Sequence, residues 1–214
     1  MPTRALYGLA YGDTLKLSVA HQGGTPFELG FTFARFVRAN AHMDLSNLFD
    51  LLVGFAAQRP PTEAQALEFD LPFLPSHSQC TWQSVLEREL GQPQAWLRRM
   101  WGVAHSKAGR VPYVDGSLEL HNANDYGWIY LYDLKTSTFE IHRGGHHSSR
   151  GIGRFSASVR LDASRPENPW CFGPWKVGHL GKAELEGKPE SRILEYLRAL
   201  ESRAESHRDR EVSA

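Results

Sequence analysis

The sequence predicts an α+β fold: one domain built on a mixed or antiparallel sheet, with helices on its faces. Two observations carry this. Strand-forming runs cluster at the start of the chain and again in its later half. Capped segments with helical spacing fill the span between them, which is not the strand–helix alternation that builds βαβ units. The expected strands come from residues 4–21, 126–143 and the 170–180 region, and the helices from 27–105. The domain is expected to occupy residues 1–204, with 205–214 a charged, disordered tail.

The elements follow in order. Arg4 to Tyr11 and Thr14 to His21 are strand-like runs separated by Gly12-Asp13, a two-residue connection suited to a tight hairpin. On the second run Leu15, Leu17 and Val19 share a face, and His21 is next in that register. Thr25 with Glu28 three residues on has the capping-box spacing, and Pro26 falls at the first helical position, where its missing N–H costs nothing. Phe33, Phe36, Val37 and Asn40 then mark the inner face of a helix, with Arg35 and Arg38 off it. A second helix is expected from Asp44, packing through Leu45, Leu48, Phe49 and Leu52 and ending near Gly54. Thr62 to Gln65 forms another capping box. Residues 70–80 read as an irregular connector. Helical pieces follow at Trp82–Leu90 and Pro93–His105, with Trp96, Leu97, Met100 and Trp101 as a core stripe. Lys107 to Gly116 reads as a loop.

The central hairpin is the densest strand signal in the chain. Trp128, Tyr130 and Tyr132 alternate with Ile129 and Leu131, so both faces are apolar or aromatic, as in a strand covered on both sides. Asp133 to Ser137 supplies turn chemistry, and Phe139 and Ile141 alternate with Glu140 and His142 on the return. Phe155 to Leu161 is a weaker strand candidate. Trp170 to Leu180, interrupted by Gly173-Pro174, is another strand. Pro189 opens a last helix with Ile193, Leu194, Leu197 and Leu200 on one face.

Composition narrows the function classes. Hydrophobic residues make up 41% and charged residues 22%, which argues for a packed globular domain. Lys plus Arg equals Asp plus Glu at 24 each, so no overall field draws the chain to nucleic acid or a membrane surface. No apolar run reaches the length of a membrane span, and residues 1–20 lack a signal-peptide pattern. Cys80 and Cys171 have no metal-type spacing, and a reducing cytoplasm with free thiols is the expected setting.

Several stretches resemble a family of small uncharacterised phage and bacterial proteins. They are the opening Thr3-Arg4-Ala5-Leu6-Tyr7-Gly8, the segment His21-Gln22-Gly23-Gly24-Thr25-Pro26 running to Leu29-Gly30, Leu45 to Phe55, Pro61-Thr62-Glu63, the hairpin Asp125 to Gly145, and Pro174-Trp175-Lys176-Val177. Members of that family open Thr-Arg-Gly-Leu-Tyr-Gly and carry a His-Phe-Asp-Ser-Tyr-Pro motif. The resemblance implies a shared fold and a link to phages or prophages, and it implies no activity. Where the family has an acid and a tyrosine after the histidine, this chain has Gly24 and Thr25.

Candidate site residues follow from chemistry. His21 ends a strand just before a turn and a capped helix start, where outward N–H groups favour anions. His142, His146 and His147 with Arg143 and Arg150 form a polar, glycine-bordered cluster suited to anions; the run holds no Cys, Asp or Glu to complete a metal shell. Arg143, Ser156-Ala157-Ser158 and Glu184-Leu185-Glu186 resemble the motif order of ADP-ribosyltransferases, but too few residues lie between the first two for the usual helices. Pro2 as an exposed amino terminus, and Ser148 and Ser149 beside histidines, are weaker candidates, since no Gly-x-Ser-x-Gly elbow is present. No cofactor or metal is implied.

Two function classes result. One is a non-enzymatic, phage-associated interaction protein acting on a bacterial host protein through aromatic and Arg residues between Tyr126 and Arg150. The other is a hydrolase or transferase on a phosphorylated or nucleotide-like ligand, in which Arg4, His21, His142 and Arg143 converge as the catalytic set on a small anionic ligand.

Overall fold

The computed structural model of the chain describes residues 3–43, 45–56, 59, 61–69, 97–100, 109–117, 120, 127–144 and 175–212. Its first element is the expected hairpin. Strands β1 (Ala5–Tyr11) and β2 (Thr14–Ala20) pair antiparallel from Ala5↔Ala20 to Tyr11↔Thr14. Gly12 takes the positive φ of 59° that the first position of a type II′ turn requires.

A single turn of π-helix at Pro26–Gly30 leads into helix α1 (Phe31–Ala39). The capping box expected at Thr25 does not form: the Thr25 hydroxyl donates to Glu28 Oε2 at 3.0 Å instead of accepting from the backbone. The wider turn brings the Gly30 N–H to the Thr25 carbonyl at 3.2 Å. Phe33, Phe36, Val37 and Asn40 are buried as the spacing predicts, and the Asn40 amide donates to the Phe36 carbonyl at 2.7 Å.

Helix α2 (Leu45–Leu51) is shorter than expected, because Leu52–Phe55 is strand β3, and Gly54 lies within that strand. Its parallel partner is β4 (Val111–Val114), inside the stretch expected to be a loop. Both strands are four residues long, too short for a period of two to stand out, and each takes its ladder from a segment distant in sequence. Between them α3 (Glu63–Glu68) starts at Thr62 with a complete capping box: the Thr62 hydroxyl accepts from Gln65 N and the Gln65 side chain accepts from Thr62 N. Residues 97–100 are helical, with Leu97 and Met100 buried.

The central hairpin is β5 (Trp128–Asp133) and β6 (Thr138–Arg143), closed where Asp133 Oδ1 accepts from the N–H groups of Lys135 and Thr136 at 2.8 and 3.2 Å. The last strand, β7 (Trp175–Gly181), pairs antiparallel with β6 across a bulge at Ile141/His142. Strand order in the large sheet is β2-β1-β5-β6-β7, and the β1–β5 pair is parallel, so the sheet is mixed. The strands expected from 4–21, 126–143 and 170–180 thus meet in one sheet.

Alternation along the strands divides the core. Ala5, Tyr7, Leu9, Trp128, Tyr130, Tyr132, Phe139 and Ile141 face one side, under α1, α2, α4 (Lys182–Gly187) and α5 (Glu190–Val212). Leu6, Leu17, Val19, Ile129 and Leu131 face the other. Phe33 sits at the centre of the helical side, 6.0 Å from the Tyr7 ring and 5.7 Å from Phe139. In α5 Ile193, Leu197, Leu200 and Ala204 are buried, and the helix continues through the stretch expected to fray, to Val212. The expected elements at 70–80, Trp82–Leu90 and Phe155–Leu161 lie outside the described residues, as do Trp96, Trp101 and both cysteines.

Candidate functional site

Arg4 precedes β1 and His21 follows β2, so the register that pairs Ala5 with Ala20 makes them the next facing residues. The Arg4 guanidinium lies 3.5 Å from His21 Nδ1, a long contact at an open edge. The chain then folds back on β1: Gly23 turns it with φ +64°, and the Gly24 N–H donates to the Thr3 carbonyl at 2.9 Å. A Cβ on Gly24 would meet the Thr3 carbonyl oxygen at 2.6 Å, so only glycine permits this approach. The Tyr130 hydroxyl, fully buried, donates to the Gly24 carbonyl at 2.9 Å, tying this corner to the middle of the sheet.

His142 stands elsewhere. Strand alternation puts it on the same face as Arg4 and His21, but two strands, β1 and β5, separate β6 from β2. At a strand spacing of about 4.8 Å that is roughly 14 Å. His142 is fully buried, and its Nε2 lies 2.9 Å from Glu140 Oε2. Lys176 on β7 approaches the other Glu140 oxygen at 3.9 Å. Three ionisable side chains on neighbouring strands thus form one chain of contacts beside Ile129 and Leu131, the arrangement a polar group needs when it is buried.

Arg143, one residue on, points to the opposite face and lies over the Trp128 ring at 4.6 Å. There it is near Glu28 and Glu201. Partial burial raises the Glu201 pKa, Glu205 and Glu28 push it further up, and Arg143 pulls it down. Burial likewise holds the Tyr130 phenol well above its ordinary pKa. Of the four residues expected to converge, then, the structure brings Arg4 and His21 together, buries His142 against Glu140, and places Arg143 across the sheet. His146, His147, Arg150, Pro2, Ser148, Ser149 and the Ser156–Ser158 triplet lie outside the described residues. Among the described residues no three His, Cys, Asp or Glu side chains gather as metal ligands, and no helix is long and apolar enough to cross a membrane.

A second region emerges on the outer side of α1 and α5. Phe27, in the π-helical turn, is 43% exposed, with the Arg198 guanidinium 5.9 Å from its ring centre. One turn on, Arg35 lies 5.8 Å from the Phe31 ring. Beside them opens a cleft of about 570 Å³ between α1, the start of α5 and the turn at 97–100. Phe36, Ala39 and Leu97 give it apolar walls, and Arg35, Arg98 and Glu190 its charge. Glu190 Oε1 accepts from Arg35 Nε at 3.2 Å and lies 3.9 Å from Arg38 Nη1. The helical period shows Arg35 and Arg38 off the core face. It cannot show that the first residue of a helix more than a hundred positions later comes to meet them.

Comparison of the chain with protein-family models, curated proteins and solved structures gives no match.

Proposed function

We propose that this is a non-enzymatic interaction protein, cytoplasmic and of phage or prophage origin, that binds a bacterial protein partner. The supporting observation is the surface of α1 and α5, where Phe27 lies against Arg198, Phe31 against Arg35, and Arg35 lines an open cleft. Aromatic and Arg side chains are the residue types that carry most of the energy of protein interfaces. We place the proposed contact surface at the π-helical turn and α1, in addition to the aromatic and Arg residues expected between Tyr126 and Arg150, of which Tyr126 and 145–150 lie outside the described residues. The phage association and the cytoplasmic setting rest on the sequence alone.

The test is affinity capture from a bacterial lysate followed by titration of the purified partner. The same protein should return reproducibly, and Phe27→Ala with Arg198→Ala should weaken it by at least about tenfold, the loss of one hot-spot contact. Failure to retain any specific protein, or retention unaffected by both changes, rejects the reading.

The contact between Arg4 and His21 favours a second reading, an enzyme acting on a phosphorylated or nucleotide-like ligand held at that corner. A thermal-shift screen with nucleotides and divalent metals decides it, because a ligand bound only by the native state raises apparent stability. On this reading His21→Ala keeps the fold and abolishes any such shift.

A further inference from the structure

The large sheet ends in β2 on one side and β7 on the other, and the chain treats the two differently. At β2 backbone meets backbone: the Gly116 N–H donates to the Leu17 carbonyl at 2.8 Å. At β7 side chains take that part. The Lys182 N–H donates to the Ser137 carbonyl at 2.9 Å, while Thr138 faces Gly181 and Glu140 faces His179. Facing pairs along an antiparallel ladder alternate between bonded and non-bonded, so the backbone groups of His179 and Gly181 point away from β6. The Tyr196 hydroxyl of α5 donates to the His179 carbonyl at 3.2 Å, and Glu184 of α4 accepts from the Gly181 N–H at 3.0 Å. Lys188 holds the other Glu184 oxygen at 2.7 Å. Tyr196 reaches the edge past Gly178, where a Cβ would meet its hydroxyl at 2.9 Å.

Helix capping accounts for the Glu184 contact alone, since Gly181 is the N-cap of α4 and Glu184 its third residue. It does not account for a phenol from a different helix on the next outward residue of the same strand. An open strand edge is a template for pairing, and two copies of one antiparallel edge match each other about a two-fold axis. We propose that Tyr196 and Glu184 close the β7 edge against the β7 of a second copy, by holding the backbone groups that such a pair would need. A second copy is the partner excluded because the edge is self-complementary at His179. Centred there, each strand would give one N–H and accept one. Gly181 has a single N–H, so its bond to Glu184 and a bond to another strand exclude each other.

The experiment is sedimentation velocity on the full chain over about a hundredfold range of concentration. Tyr196→Phe combined with Glu184→Ala keeps the ring in place and releases both backbone groups. It should shift the monomer–dimer equilibrium at least about tenfold toward dimer relative to the unmodified protein. Tyr196→Phe with Glu184→Gln should associate less, because the amide oxygen can still accept from Gly181. His179→Pro tests the route: its N–H belongs to the outer edge and not to the ladder with β6, so the fold is kept while edge pairing is blocked. Added to the double variant, it should disperse the dimer. A double variant no more associated than the unmodified protein overturns the proposal. Association that survives His179→Pro overturns it as well, and so does an unmodified chain that already pairs and is dispersed by His179→Pro. Tyr196→Phe alone removes a single oxygen atom and should lie between the unmodified protein and the double variant. That comparison decides the matter even where Glu184→Ala loosens α4 in circular dichroism.

Discussion

His142 shows at the scale of one residue what a buried imidazole demands of its neighbours. It is fully buried, and Glu140, itself only 8% exposed, stands at hydrogen-bond distance. Taking one partner from a buried polar pair leaves the other poorly compensated, whereas replacing both by apolar groups is far milder. His142→Leu should therefore destabilise the fold by about 3 kcal/mol in urea titration, and Glu140→Leu added to it should recover part of that loss. A double variant as unstable as the sum of its parts would show the contact to be incidental. Two other carboxylates respond to pH with opposite signs. Glu184 accepts from the Gly181 N–H at 3.0 Å and from Lys188 Nζ at 2.7 Å, and these bonds lower its pKa. Its contribution is present above the unfolded-state carboxyl pKa and is lost as pH falls through the lowered folded value. The Glu201 pKa is raised, chiefly by burial, so its charged form opposes folding as pH rises past the unfolded value. At pH 7 Glu184→Gln should thus lower the melting temperature and Glu201→Gln raise it, and near pH 3 both differences should vanish. Alternation along β6, legible in the sequence, puts Glu140 and His142 on one face and Arg143 on the other, against the expected convergence of Arg143 with His142. That Arg4 and His21 share the face of His142 comes from the strand pairing, which the sequence does not show. Nor does it show how deeply His142 is buried, because that depends on what lies over the strand.

Among the elements, those that carry their own signal were read correctly. Gly12-Asp13 and Asp133 to Ser137 close hairpins through local turn chemistry, and Thr62 with Gln65 starts a helix through hydrogen bonds within four residues. β3 and β4 carry no such signal. Leu52 satisfies a helical spacing as well as a strand, and its strand partner Val111 is supplied by the fold. The π-helical turn escaped for a related reason: Thr25 and Glu28 have the spacing of a capping box, yet their side chains bond to each other. Lys16 illustrates how elements are tied. From β2 its ammonium donates to the carbonyls of Phe49 and Leu52 at 2.6 and 2.9 Å and lies over the Phe49 ring, so a strand side chain caps the end of α2. Lys16→Met keeps the stem and removes both bonds; it should cost about 1–3 kcal/mol, measured by urea titration. Where α5 crosses β7, a Cβ on Gly178 would meet Leu200 Cδ1 at 2.5 Å and the Tyr196 hydroxyl at 2.9 Å. Gly178→Ala should destabilise by about 1–3 kcal/mol through overpacking. Leu200→Ala, harmful alone, should cost less in its presence, and strict additivity of the two would rule out the steric explanation.

For the whole molecule, the sheet consists of two parts joined at one place. β1 and β2 form one hairpin, β5 to β7 an antiparallel meander, and the parallel ladder from Ala5↔Trp128 to Ala10↔Asp133 is where they join. The same boundary falls between the two ends of the long span that supplies α1 to α3 and the small second sheet. This makes the chain divisible. Severed between Phe69 and Leu97, it would yield one piece carrying the first hairpin with α1 and another carrying the meander with α5. Each piece would end its share of the sheet in an unsatisfied strand edge, and each would expose half of the apolar layer centred on Phe33 and Phe139. Two such halves, expressed separately, should find each other and reconstitute the native circular-dichroism spectrum on mixing. A bulky residue at Gly30, where a side chain would collide with the Tyr130 ring of the other piece, should block that reunion.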